Sequence, residues 1–202
     1  MDIKAAIFGW NGVLIGSPAT AIVEYCAARL GTTPAILTPA LNRHLPSFQD
    51  GSVDERQFWS NVLLAGRIRG TIPSGSLWSE AFRVSYEERP TMFGLVQTLH
   101  NNGYSTALLS NTEPPAVDFW KERNYPGFDQ LIFSCEAGLV KPQSVIYELA
   151  LERLGIEAGE AAFVDDKVLC VRGAERVGIK GIVYSSEEQV RRDLIEVGIN
   201  IS

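Results

Sequence analysis

Residues 4–14 read Lys-Ala-Ala-Ile-Phe-Gly-Trp-Asn-Gly-Val-Leu. The apolar run stops at a glycine-rich turn and resumes at Val13 and Leu14, the pattern of a buried strand that ends in a tight turn. A strand over about 3–9 is expected. Four later segments share its character, over about 104–110, 129–134, 161–165 and 179–184. Their near-continuous hydrophobicity suits strands covered on both faces, as in a parallel sheet. Helical stretches alternate with them over about 90–102, 115–124, 142–154, 168–177 and 186–197. Pro90, Pro115 and Pro142 fall where first helical turns are expected, and Gly103, Gly155 and Gly178 follow helical runs as C′ residues. Such alternation implies an α/β fold, a doubly wound, Rossmann-like parallel sheet.

The first crossover departs from this rhythm. About 80 residues separate the first strand from the helix at Pro90, far more than a simple crossover needs. Within them, 18–30, 34–45, 54–66 and 76–88 show helical apolar spacing, divided by Gly31, Pro46, Gly51 and the stretch from Gly70 to Gly75. Ser52 and Glu55 have the spacing of a capping box. The expected organisation is an α/β core over 1–15 and 89–202, with a small all-helical cap inserted over 16–88.

At 202 residues, 46% hydrophobic and 21% charged, the chain has the composition of a soluble globular protein. A net charge of −6 without a basic block argues against nucleic-acid binding. No apolar run approaches the ~20 residues that span a bilayer, so no membrane partner is expected. No signal segment is expected ahead of the first strand. Cys26, Cys135 and Cys170 are odd in number and lack CxxC spacing, which indicates neither a disulfide framework nor a zinc site and suits the reducing cytoplasm. A homodimer is left open.

Three constellations carry candidate chemistry. Leu108-Leu109-Ser110-Asn111-Thr112 places a hydroxyl between a strand end and a helix start, where free N–H groups favour anions. Gly138-Leu139-Val140-Lys141-Pro142 sets a lysine before a helix, a position that asks for a compensating anion. Phe163-Val164-Asp165-Asp166-Lys167 puts two carboxylates at the carboxyl end of a strand, where open α/β sheets bind ligands and where a hard cation such as Mg²⁺ finds oxygen donors. Taken singly, Ser110 reads as a turn cap, Lys141 as a solvated lysine, and the two aspartates as an N-cap and a surface acid.

Their order changes that reading. A hydroxyl, then Lys-Pro, then paired acids on successive strands, after a strand–turn and a helical insert, resembles the haloacid dehalogenase (HAD) superfamily. The runs LLSNT, DFW with NYP, GLVKP and FVDD…GAE…GIKGIVY are most similar to its α-glucose-1-phosphate phosphatases and to the N-terminal phosphatase domain of soluble epoxide hydrolases. The resemblance spans about 1–15 and 89–185, while the insert is cap-like only in placement and character. Receiver domains also combine acids, a hydroxyl and a lysine, but their acidic pair lies on the first strand. There is no G-x-G-x-x-G after the first strand and no GK[ST] motif. His44 and His100 lie away from strand ends, which disfavours a Ser-His-Asp triad.

The resemblance implies a small-molecule, sugar-type phosphate monoester phosphatase that uses Mg²⁺ and acts on a small phosphorylated metabolite. It assigns Ser110, Asn111 and Lys141 to phosphate, and Asp165, Asp166 and the Asn11 backbone carbonyl to the metal, with Lys141 also in the catalytic set. The family's first motif ends its strand in a nucleophilic Asp, with an acid/base Asp two residues on. Here these positions are Gly9, which has no side chain to attack phosphorus, and Asn11, which cannot exchange a proton near neutral pH. The expectation is an inactive or very weak hydrolase, with Mg²⁺ binding weakened or absent and the anion pocket retained. Two alternatives stand beside it: a binding or regulatory pseudoenzyme, and an active hydrolase whose nucleophilic Asp was replaced by engineering. Relatives place Asn where Cys170 stands; a small apolar filler is the plainer reading of that cysteine. Trp10 is expected near the pocket.

Overall fold

The computed structural model describes residues 2–201; Met1 and Ser202, the outer bounds of the expected core, lie outside the described residues. Five parallel strands, β1 (Ala5–Phe8), β2 (Ser105–Ser110), β3 (Gln130–Phe133), β4 (Ala161–Asp165) and β5 (Lys180–Val183), form one sheet in the order β3-β2-β1-β4-β5. The chain turns back on itself between β1 and β4, so the crevice beyond their carboxyl ends is the ligand position of an open α/β sheet. Phe8 pairs in register with Leu108 on one side and Val164 on the other, which brings Gly9, Ser110 and Asp165 to one edge.

Alternation along β1 divides the core. Ala6 and Phe8 face a cluster shared with Met92, Leu95, Trp120 and Leu194. Ile7 faces a second one built with Ile146, Tyr147 and Ala174. The first cluster draws on α5 (Pro90–Asn101), α6 (Pro114–Arg123) and α10 (Glu187–Glu196), the second on α8 (Ser144–Leu154) and α9 (Val168–Arg176). Covering both faces gives the uninterrupted apolar strands of the sequence their reason.

Four helices occupy the long first crossover: α1 (Ala19–Arg29), α2 (Pro34–Gln49), α3 (Glu55–Ala65) and α4 (Leu77–Ser85). Their apolar faces, including Ile22, Leu41, Phe58, Trp78 and Phe82, belong to the same buried cluster as Trp10 and Trp120. Two close contacts tie these helices to the sheet. Ser134 Oγ, at the start of the short α7 (Ser134–Ala137), donates to Gln49 O at 2.6 Å and accepts from Thr112 N at 2.9 Å. Gly51, at φ +74°, approaches the Cys135 carbonyl so closely that a Cβ would lie 2.3 Å from its oxygen. The ends of the crossover are laced together by Gly16 N donating to Glu87 O and Arg89 N donating to Leu14 O, at 2.8 and 3.0 Å. Arg89 Nη1 also donates to Gly12 O at 2.5 Å.

Three local expectations are corrected. Pro46 does not divide helices: α2 continues through Pro39 and Pro46 to Gln49. Each proline removes a backbone donor, but the helix buries Leu37, Leu41 and Phe48 on one side, and that packing outweighs the lost bonds. Ser52 and Glu55 form no capping box. Asp54 caps α3 by accepting from Gln57 N at 2.7 Å, and Glu55 Oε1 instead accepts from Trp59 Nε1 and Trp78 N. Pro142 precedes α8 rather than opening it, because residues 141–143 form a turn before Ser144.

Candidate active site

Gly9 follows β1 directly and has no left-handed φ, so its backbone would accept any side chain. The limit is space: a Cβ there would lie 2.9 Å from Asp165 Oδ2 and 3.5 Å from Val13 Cγ2. Asp165, the last residue of β4 and 3% exposed, thus leans over the position where the family places its nucleophile. Its Oδ1 accepts from Lys167 N at 2.8 Å, and its Oδ2 is paired with Lys141 Nζ at 2.5 Å.

Lys141 is the cationic centre of the site. Its side chain is 5% exposed, and Nζ donates to Leu109 O at 2.7 Å as well as to Asp165. An ammonium has three donors, so one remains for an incoming group. The anion that the lysine position asks for is supplied inside the fold, by Asp165. Asn111 holds the lysine loop: its Oδ1 accepts from Lys141 N at 2.8 Å and its Nδ2 donates to Lys141 O at 2.9 Å. These bonds commit the Asn111 amide to positioning Lys141, which leaves its backbone N–H for the phosphate role that the sequence suggested. Ser110 ends β2 at 2% exposure, with its Oγ 3.5 Å from the Asn111 carbonyl, too far to hold the hydroxyl firmly.

Asp166 lies across the turn from these groups. Gly12 has φ +82°, and a Cβ on it would sit 2.2 Å from Asp166 Oδ2, so only glycine admits the carboxylate here. Burial and the neighbouring Asp165 charge push the Asp166 carboxyl upward. Asn11 Oδ1 is buried without a hydrogen-bond partner. Among the described residues no three His, Cys, Asp or Glu side chains gather as a metal-holding group.

A cavity of about 140 Å³ opens above this floor. Ser110, Asp165 and Asp166 meet it from the strand ends and Lys141 from the turn before α8, while Ile22, Leu41, Leu45 and Phe82 close it from the inserted helices. Trp10, 1% exposed, stands in its wall and packs edge-on against Trp120. Cys170 also reaches the cavity, its thiol pushed up chiefly by burial, as an apolar filler would be. The sequence did not single out Glu113, Gln49 and Trp78, which complete the wall. Glu113 precedes a Pro-Pro helix start, where an acid normally reads as a solvated cap; only the packing of α2 over it reveals its burial.

The family follows from fold and sequence together. The chain belongs to the haloacid dehalogenase-like hydrolases, whose profile matches residues 3–178. It is 31% identical to the sesquiterpene phosphatase astK of Aspergillus oryzae, over 89% of this chain and 88% of that protein. It is 27% identical to pig bifunctional epoxide hydrolase 2 over 98% of this chain, and 26% identical to Arabidopsis thaliana flavin mononucleotide hydrolase 1 over 77%. The chain spans only 39% and 62% of those two proteins. Among solved structures, a HAD-like hydrolase from Porphyromonas gingivalis superposes with TM-score 0.79 at 21% identity, covering 98% of each chain. The HAD enzyme BT-2542 of Bacteroides thetaiotaomicron, solved in complex with magnesium and inorganic phosphate, superposes with TM-score 0.74 at 20% identity, over 92% of this chain and 96% of that one.

Proposed function

We propose that this hydrolase-family protein binds a small phosphate monoester and hydrolyses it at or near the background rate. The observation that carries the reading is the buried Lys141 ammonium, held by Asn111 and Asp165 with one proton unclaimed, beside Ser110 at the floor of a cavity. Lys141, the Ser110 hydroxyl and the N–H groups that follow it supply donors to phosphate oxygens. The apolar roof takes the organic part.

Covalent phosphoryl transfer needs an ionised or activated nucleophile in line with phosphorus, and burial keeps the Cys170 thiol protonated. Gly9 offers no such group, and the nearest carboxylate, Asp165, is engaged by Lys141 and by Lys167 N. Asn11 can orient a group through its amide but cannot shuttle a proton. The residues present do not make a Mg²⁺ site of the family's kind. Asp165 is committed to a cation, Gly9 brings no carboxylate, and Asp166 remains with the carbonyl oxygens of Asn11. Mg²⁺ binding is therefore weak or absent, and phosphate recognition rests on Lys141, Ser110 and the neighbouring N–H groups. The three free thiols, Cys26, Cys135 and Cys170, fit a reducing cytoplasm.

Calorimetric titration of inorganic phosphate in EDTA tests the reading. Binding should be measurable in EDTA, change little on adding Mg²⁺, and fall at least tenfold in Lys141→Ala. Absence of binding, or binding indifferent to Lys141, would reduce the site to a scaffold.

A further inference from the structure

The phosphate reading makes no use of Glu113, yet this carboxyl is 3% exposed and lines the same cavity. It occupies the N-cap position of α6 without its side chain bonding the helix, so it is not acting as a cap. Gln49 Nε2, from the end of α2, donates to Glu113 Oε1 at 2.7 Å and fixes the carboxyl from the side of the inserted helices. Burial pushes Glu113 up to about 7, and Lys167 is the charged side chain acting on it from across the cavity, in the opposite sense. The Trp78 indole lies beside the carboxyl. Trp78 and Trp10, 3% and 1% exposed, both line the cavity; the Trp78 N–H is drawn to the Glu113 carboxyl, whereas the Trp10 N–H has no acceptor.

The cavity therefore combines a carboxyl with an unclaimed N–H donor in apolar surroundings. Buried donors left unpaired are costly, and a ligand that satisfies them gains accordingly. A hydroxyl both donates and accepts, so it can serve Glu113 and an indole N–H together. An ammonium would leave the Trp10 N–H unpaired, and a second anion would face the Glu113 charge. An apolar cavity of about 150 Å³ holds benzene, so 140 Å³ shared with a phosphate group leaves room for a body of a few carbons.

We propose that Glu113, held by Gln49 and flanked by Trp78, is a specificity-determining contact that selects phosphate monoesters whose small apolar body carries a hydroxyl away from the phosphate. The proposal rests on the phosphate-binding reading and deepens it. Its test compares 1,ω-alkanediol monophosphates with n-alkyl phosphates of equal length, three to six carbons, by competition against inorganic phosphate. At one chain length the diol ester should bind at least tenfold more tightly than its alkyl counterpart. In Glu113→Leu/Gln49→Leu that advantage should drop below threefold while inorganic phosphate still binds; Glu113→Gln, which keeps the hydrogen bonding, should retain most of it.

Equal or better binding of the alkyl esters at every length overturns the proposal, and this comparison needs no variant. Survival of the advantage in the double-leucine variant overturns it too, as would tighter binding of ω-aminoalkyl phosphates. Phosphate that binds with no diol preference removes this proposal alone, whereas phosphate that does not bind removes the anion-pocket reading with it.

Discussion

Placing an aspartate at position 9 should destabilise the protein unless Mg²⁺ is supplied. The backbone at Gly9 accepts a side chain, so the penalty lies in the space above it. A Cβ would lie 2.9 Å from Asp165 Oδ2, and that carboxylate must retreat while staying paired with Lys141. Gly9→Asn carries the same steric demand without charge, an overpacking cost of about 1–3 kcal/mol. Gly9→Asp adds a second carboxylate beside a buried one. At an effective dielectric of about 20, like charges about 4 Å apart repel by about 4 kcal/mol. Lys141 offsets part of this, leaving an excess of about 2–3 kcal/mol over the Asn variant. For a chain of this length, about 2–4 °C of melting temperature corresponds to each kcal/mol, so the Asp variant should melt roughly 4–12 °C below the Asn variant in EDTA at pH 7.5. The gap should shrink toward pH 5, because a carboxylate among like charges takes up a proton readily and loses the repulsion. It should also close in millimolar Mg²⁺, where the pair of carboxylates becomes a ligand set. Thermal unfolding of wild type and both variants, with and without Mg²⁺, measures this. Equal melting temperatures for the Asp and Asn variants in EDTA, or a gap that Mg²⁺ leaves unchanged, would refute the reasoning.

Glu113 gives a pH signature. Its carboxyl rises from 4.5 to about 7 on folding, so the native state holds the proton more tightly. This stabilisation is full below about pH 4.5, is lost as pH rises through 7, and amounts to about 3 kcal/mol. The stability difference between wild type and Glu113→Gln, from urea unfolding at pH 5 and pH 8, should change by about that amount in favour of the variant at pH 8; a constant difference would contradict it. Lys141→Met should cost about 3–5 kcal/mol by stranding the Asp165 charge, and Lys141→Met/Asp165→Asn should recover most of it. Chemical denaturation of the two variants reads this directly, and a double variant no more stable than the single one would show that the pair does not work as supposed.

The sheet was legible because strands covered on both faces carry an uninterrupted apolar signal, as Ala5–Phe8 and Ala161–Asp165 do. The inserted helices were legible from their spacing. The end of α2 was not, since proline propensity says nothing of the buried face of Leu41 and Phe48 that holds the helix together. The convergence of Gly9, Ser110 and Asp165 followed from motif order, because in a parallel sheet strand ends meet at one edge; Lys141 reaches them from a turn beyond the third strand rather than from its end. Side-chain commitments were beyond sequence. That Asn111 serves the lysine loop, and that Asp165 leans over Gly9, depends on distances of a few ångströms across separate strands. Glu113 escaped notice because burial of an acid is set by what packs on it, here α2 through Gln49.

The central claim is that this pocket recognises phosphate esters but lacks the group that attacks them. Steady-state hydrolysis of p-nitrophenyl phosphate in millimolar Mg²⁺, by wild type and by Gly9→Asp/Asn11→Asp side by side, tests it most directly. Losing a member of a cooperating catalytic set costs roughly 10⁴ to 10⁶ in rate. Wild type should therefore stay near the uncatalysed rate while the double variant turns over measurably and only with metal. Turnover by wild type at an ordinary enzymatic rate, on the order of 1 s⁻¹ or faster, would mean that another residue is the nucleophile and would contradict the account.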